Sequence, residues 1–254
     1  MSFRTTFNKI IEPFGYTIQA KSKEIYDQDG LRSIHNHDFM TDPSFVKAYQ
    51  RGIVAAGDDY LWHWRVHIGL WAAYSASKLA GDFVECGVNR GFLSSAIMEY
   101  LDWDSQEKTF YLLDTFCGLD NRYLSETEIK KGALEKNKKA LENGFYADQS
   151  ESVRVNFSQW KHIEIIQGSI PETLTSVKTE KIAYLHLDMN CSLPEVAALN
   201  FFWDKLSPGA FILLDDYAYI GHESQKKALD SVAKTQKSHI ASLPSGQGLL
   251  IKPA

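Results

Sequence analysis

Residues 81–91 read GDFVECGVNRG, and the fold turns on how they are parsed. Residues 83–86 form a short, nearly continuous apolar run that carries one acid and stops at Gly87. Four further runs of this kind follow at 109–113, 163–166, 182–187 and 211–214, with helical segments between them. Apolar strands of that length, alternating with helices, signify a parallel sheet covered on both faces.

Upstream, residues 1–79 carry apolar residues at helical spacing, broken into short pieces by Pro13, Gly30 and Pro43; the best helix there spans 60–79. This predicts an N-terminal helical extension or cap over 1–79, ahead of an α/β domain over 80–254. Phe3, Phe7, Ile10, Ile11 and Phe14 share one helix face, which is expected to pack into a core rather than onto a membrane. Downstream, Pro194 is pre-set for a first helical turn, and Val196, Leu199, Trp203 and Leu206 then share a face until Pro208 and Gly209 end the helix. Residues 222–237 read as a helix with Ala228, Leu229 and Val232 inward, and 239–243 with 249–252 flank Pro-Ser-Gly-Gln-Gly as a hairpin. Five parallel strands closed by an antiparallel hairpin, seven in all, is the layout of a class I methyltransferase sheet; a dehydrogenase Rossmann sheet shares only the first half. Residues 119–161 form a long polar insertion with a Lys/Glu-rich helix over 126–142, placed where a segment can close over a ligand.

Composition narrows the function classes. Hydrophobic residues make up 44% and charged residues 23% of 254, which is ordinary for a globular chain able to bury its own core. The formal net charge is -5 and the basic residues are scattered, so no stripe offers to neutralise a phosphate backbone, and nucleic acid is not the expected partner. Cys86, Cys117 and Cys191 are odd in number and far apart, which suits a reducing cytoplasm better than a disulfide framework. No run reaches the roughly 18 apolar residues needed to span a bilayer, and none has secretory length near the N-terminus.

In an open parallel sheet the ligand sits at the carboxyl end of the first strand, here Glu85-Cys86-Gly87-Val88-Asn89-Arg90-Gly91. Gly87 allows a tight turn and a close approach, yet only Gly87 and Gly91 stand where a dinucleotide fingerprint needs three glycines. Glu85 suits a cationic amino group such as that of S-adenosylmethionine, and would repel a phosphate. Asp114, at the end of the second strand, can accept hydrogen bonds from ribose hydroxyls.

The fourth and fifth strands end in Asp188 and in Asp215-Asp216, on neighbouring strands about 4.8 Å apart. Three carboxylates so close raise one another's pKa unless a hard divalent cation, Mg²⁺ or Mn²⁺, neutralises them. Side chains alternate along a strand, so Asp215 and Asp216 can face one ion only if the strand has already given way to loop. His63 and His67 stand at helical spacing, but without the glutamate of a zinc-protease helix they read as packing.

GDFVECGVNRG, YLLDTFCGL, IIQGSIPETL, YLHLDMN and LSPGAFILLDDY, spanning about residues 81–217, together resemble the macrocin O-methyltransferase family of metal-dependent sugar O-methyltransferases. The resemblance implies that residues 85–89 (Glu85, Cys86, Gly87, Val88 and Asn89) and Asp114, Thr115 and Phe116 line the S-adenosylmethionine site, with Ser169 near the adenine. It implies that Asp188, Asp215 and Asp216 bind Mg²⁺, that the acceptor is a sugar hydroxyl of a glycan, glycolipid or secondary metabolite, and that the protein forms dimers. Relatives carry a second aspartate two residues after the first, proposed as general base, and this chain has Asn190 there, which cannot take up a proton. Catechol-type relatives keep a lysine where Cys191 stands. His222 is then the candidate base beside Asp188, with His35 and His37 weaker ones. Three rival readings are a catechol-type O-methyltransferase, a nucleotide-cofactor oxidoreductase and a non-catalytic S-adenosylmethionine-binding module.

Overall fold

The computed structural model describes residues 3–17 and 25–254. It divides into two compact units, Met1–His37 and Asp38–Ala254. In the first unit, helix α1 (Phe3–Ile11) is followed by a 3₁₀ turn and by a hairpin of β1 (Tyr26–Gln28) and β2 (Leu31–Ser33). This hairpin corrects the expectation of helical pieces: Asp29 and Gly30 both take positive φ, the two-residue turn whose twist matches that of its strands. Phe7 and Ile10 on α1, and Phe14 in the turn that follows it, are 39%, 61% and 76% exposed.

The second unit opens with α2 (Pro43–Ala56), whose first amides are capped by Asp42 accepting from the N–H groups of Ser44 and Phe45. Then follow α3 (His63–Ser77), β3 (Asp82–Cys86), α4 (Phe92–Tyr100) and β4 (Phe110–Asp114). The insertion supplies α5 (Glu126–Lys130), α6 (Ala133–Glu142) and α7 (Ser150–Phe157). The single helix expected over 126–142 is therefore two, because Gly132 takes a left-handed conformation between them. The chain continues through β5 (Ile163–Gln167), β6 (Ile182–Leu187), α8 (Ser192–Phe202), β7 (Leu206–Leu214), α9 (Glu223–Thr235), β8 (Ala241–Ser242) and β9 (Gly248–Ile251).

The large sheet has the order β5-β4-β3-β6-β7-β9-β8, with the first five strands parallel and the last two antiparallel, as expected. Alternation along the strands builds two cores. Phe83, Phe110, Tyr184 and Leu213 pack with α2, α3 and α4 on one face. Val84, Leu113, Leu185 and Ile212 pack with α8 and α9 on the other. Burying each such side chain contributes about 1.5–3 kcal/mol, so both layers matter to stability. One consequence positions the site: Glu85 and His186 are register partners on the α3 face, so charge is forced into that core beneath α3.

Candidate functional site at the carboxyl edge of the sheet

The ladder continues past the strand ends. The N–H of Gly87 donates to Leu113 O (2.8 Å), that of Asp188 to Cys86 O (2.8 Å) and that of Asp215 to Leu187 O (2.9 Å). Gly87 has φ +91°, and a Cβ built there would lie 1.9 Å from the carbonyl oxygen of Asp188, so no larger residue fits between these two tips. Asn89, Phe116 and Asn190 hold positive φ at three neighbouring tips, backbone that only the surrounding contacts can maintain.

Asp114 performs much of that holding. Its Oδ2 accepts from the N–H groups of Val88 (2.7 Å) and Asn89 (2.8 Å), and its Oδ1 from that of Phe116 (2.6 Å). A carboxylate offers about four lone-pair directions, so a ribose hydroxyl would share this group with three amides. Cys86 and Phe116 are fully buried, and only their main chain can line a ligand. The Thr115 hydroxyl turns back to Gly118 O. Ser169 donates to Asp120 Oδ2 (2.6 Å), where Arg122 and then Ser169 hold the Asp120 carboxyl well below the usual carboxylate range.

The acids of β6 and β7 meet in a buried cluster. β7 ends at Leu214, so Asp215 and Asp216 lie in the turn beyond it, which meets the condition for both to face the same region. Among the described residues, one set of metal-capable groups comes together: His186, Asp188 and Asp215 each place a ligand atom within 4.8 Å of the others. Asp216 lies outside that set, 3.6 Å from Arg65 Nη2 and 3.9 Å from His222 Nδ1. Arg65, buried on α3, pairs with Asp215, and Gln247 donates to the other Asp215 oxygen at 3.1 Å. His186 donates from Nδ1 to Glu85 Oε1 (2.8 Å), and its Nε2 is 3.9 Å from Asp215 Oδ1.

These partners divide the carboxylates into compensated and uncompensated ones. Burial opposes ionisation of Asp215, but Arg65 and then His186 keep it well below the usual range. Burial would lower His186, yet Asp215 and Glu85 push it up to about 10. Glu85 Oε1 is thus engaged by His186, while its Oε2 is buried without a hydrogen-bond partner. Burial, then the charges of Asp215 and Asp216, raise Asp188 well above its ordinary value, and burial with Asp215 raises Asp216. Two carboxyls remain without a full countercharge beside a third.

Three neighbours were not legible beforehand. Tyr146, from the insertion, is pushed up by burial and then by the fields of Asp188, Asp216 and Asp114. Arg65 reads in sequence as one polar residue of an aromatic helix. His186 carried a signal, since alternation places it opposite Glu85 on one face. The insertion is fastened over β3 by Asn89, whose side chain donates to Phe145 O (3.1 Å) and accepts from the N–H of Ala147 (2.8 Å). Asn89→Ala is expected to cost about 2 kcal/mol by orphaning these groups, and to speed proteolytic nicking between residues 143 and 149 relative to the unaltered protein. Equal nicking rates would show that the clasp holds nothing.

The remaining histidine pair packs. His67 stacks on Phe39 with ring centroids 4.0 Å apart, and His63 on Tyr49 at 4.5 Å; burial lowers the pKa of both. His222 is partly buried at the start of α9, with Nδ1 2.9 Å from Gln225 Oε1.

Solved structures share this architecture. The O-methyltransferase NovP superposes with a TM-score of 0.64 at 19% identity, over 81% of this chain and 89% of that one. The calicheamicin methyltransferase CalS11 gives 0.53 at 14%, over 91% and 99%. The fold is that of a class I methyltransferase. The model of the macrocin O-methyltransferase (TylF) family matches residues 70–239, and the chain belongs to that family. Over 152 residues it is 28% identical to the 8-demethyl-8-(2,3-dimethoxy-α-L-rhamnosyl)-tetracenomycin-C 4′-O-methyltransferase of Streptomyces olivaceus, which is 56% of this chain and 55% of the relative. Over 149 residues it is 25% identical to the mycinamicin III 3″-O-methyltransferase of Micromonospora griseorubida, 54% of this chain and 55% of the relative. The chain spans about half the length of the curated relatives it matches. No helix among the described residues is long and apolar enough to cross a membrane.

Proposed function

We propose that the protein is a cytoplasmic, S-adenosylmethionine-dependent and divalent-metal-assisted O-methyltransferase acting on a sugar hydroxyl of a glycan, glycolipid or secondary metabolite, and that it works as a dimer. The observation that carries this reading is the convergence of Asp188 and Asp215, with His186, beside the Gly87 turn, with Asp216 next to Asp215 in the same turn and both Asp188 and Asp216 raised above their ordinary range. Both curated relatives are named for methylating a hydroxyl, one of them on a rhamnosylated compound.

The residues fit a hard cation, since the donor set is carboxylate and its excess charge is negative. Asp188, Asp215 and Asp216 would hold Mg²⁺ or Mn²⁺, which would supply Lewis acidity toward a developing alkoxide. S-adenosylmethionine would bind along residues 85–89 and 114–116 with Ser169 at the adenine end, and supplies the methyl group when bound. The chain's own part is orientation, water exclusion and proton removal. The β3 tip, braced by Asp114, presents main-chain groups in a fixed turn. Tyr146 and the insertion cover the strand tips from above, and α2 and α3 cap one side with Arg65. His222, at the edge of the acid cluster, takes the hydroxyl proton, because Asn190 cannot. Cys191, in the place of the catechol-type lysine, has its thiol pushed up by burial and donates to Met189 O, so it offers no base for that alternative.

Calorimetric titration with S-adenosylhomocysteine, followed by transfer of labelled methyl to rhamnosylated acceptors, tests the proposal. Binding is expected with or without Mg²⁺, and turnover is expected to vanish in excess chelator and return with Mg²⁺. A protein that binds NAD and not S-adenosylhomocysteine would overturn the reading, and turnover untouched by chelator would remove the metal from it.

A further inference from the structure

Glu195 is fully buried on α8 and takes no part in the chemistry proposed above, yet burial pushes it up to about 8. Its Oε1 accepts from the main-chain N–H of Met189 at 3.0 Å, between Asp188 and Asn190 on the β6 tip. The same oxygen accepts from Gln225 Nε2 at 2.6 Å, across the contact of α8 with α9. The other end of the Gln225 amide, Oε1, lies 2.9 Å from His222 Nδ1. Gln225 is itself buried, so its amide has no water to turn toward.

Two assignments satisfy this chain of donors and acceptors. With Glu195 ionised, or with its proton on Oε2, Oε1 accepts from both Met189 N–H and the Gln225 NH₂, which leaves the Gln225 carbonyl oxygen facing His222; with the proton on Oε1 the amide is turned over and its NH₂ faces His222 instead. In the first, the carbonyl can only accept, so Nδ1 carries a proton. Asp216 Oδ2, 3.9 Å from the same nitrogen, favours that proton as well. In the neutral ring Nε2 is then the unprotonated nitrogen.

We infer that Glu195 and Gln225 are positioning residues that lock His222 in the Nδ1–H tautomer and so keep Nε2 free to accept a proton, while tying that histidine to the strand tip carrying Asp188. The inference rests on the reading of His222 as base for its consequence in turnover, but not for the tautomer itself. The ordering is physical: the Glu195 to Met189 bond fixes the height of the β6 tip, and the Gln225 amide passes that position on to the ring.

Two-bond ¹H–¹⁵N correlation spectra of the ¹⁵N-histidine-labelled protein, free of ligands, read the tautomer directly, with the His222 signals assigned by their loss in His222→Gln. The unaltered protein is expected to show Nδ1–H. Gln225→Leu and Glu195→Leu are expected to shift His222 toward the Nε2–H form, and Gln225→Glu, which keeps an acceptor against Nδ1, to restore Nδ1–H. In turnover, Gln225→Leu is expected to lower kcat about 100-fold with KM changed less than about twofold, and Gln225→Glu to recover most of it. A His222 that is Nε2–H in the unaltered protein, or Nδ1–H to the same degree in Gln225→Leu, overturns the relay whatever the activities are. Full turnover by His222→Gln would instead sink the base assignment, and the spectra would still decide the relay.

Discussion

Replacing Gly87 with alanine is expected to destabilise the protein by about 4 kcal/mol and to abolish both S-adenosylhomocysteine binding and methyl transfer. Two costs add. At φ +91° an alanine sits in a region that side chains rarely enter, and its Cβ would stand 1.9 Å from the carbonyl oxygen of Asp188 and 2.5 Å from that carbonyl carbon. The obstacle is backbone, so no rotamer change relieves it: β3 and β6 must separate at their tips. That separation breaks the bond from Asp188 N–H to Cys86 O and displaces Asp188 from Asp215. Gly57 is the control, since its φ is +78° and a Cβ added there would meet nothing within 4 Å. Gly57→Ala should pay the conformational strain alone, about 1 kcal/mol, and keep full activity. Urea unfolding midpoints at constant slope measure both, and similar losses in the two variants would mean that the Asp188 contact is not what Gly87 provides.

How much of this was readable from the chain depends on where each interaction is encoded. Short, nearly continuous apolar runs marked the five parallel strands to within a few residues, and turn chemistry marked the closing hairpin. β7 begins at Leu206, earlier than the apolar run implies, because an irregularity in its pairing with β6 lets Pro208 and Gly209 lie within a strand. Leu206 therefore opens a strand instead of closing a helix face. The acid tips were readable because they are contiguous with strands whose order was inferred. Arg65 was not, since a single arginine on an aromatic-rich helix carries no mark of being buried; its burial follows from α3 lying over the β6 and β7 edge, a tertiary fact. Tyr146 stands in an irregular loop held by Asn89, and no local pattern places such a loop above the strand tips. Asp114 was legible as an acceptor, though its partners in the structure are the amides of the neighbouring turn.

Arg65→Met is expected to lower stability at neutral pH by about 3–5 kcal/mol, the loss seen when one partner of a buried pair is removed and the other charge is stranded. Methionine keeps the length and apolar stem of the arginine, so packing against the ring of Trp62 is largely preserved and the loss reports charge. Asp215 would lose its ion pair, and Asp216, already raised by burial and by Asp215, would lose a second neighbour of opposite sign. The double variant with Asp215→Asn should cost less than the two single variants added together, because the carboxylate stranded by the first change is neutralised by the second. The same variant separates the roles of arginine and cation. If the three acids take a divalent ion, Mg²⁺ at 100 times its Kd returns about 2.7 kcal/mol to a protein that binds it only when folded. The gain in unfolding free energy with Mg²⁺ should be at least as large in Arg65→Met as in the unaltered protein, since removing the arginine leaves the acids more negative. A loss below about 1 kcal/mol for Arg65→Met would show that solvent already reaches these carboxyls. An Mg²⁺ effect absent from both proteins would show that Arg65 and His186 are all the counter-charge the cluster uses.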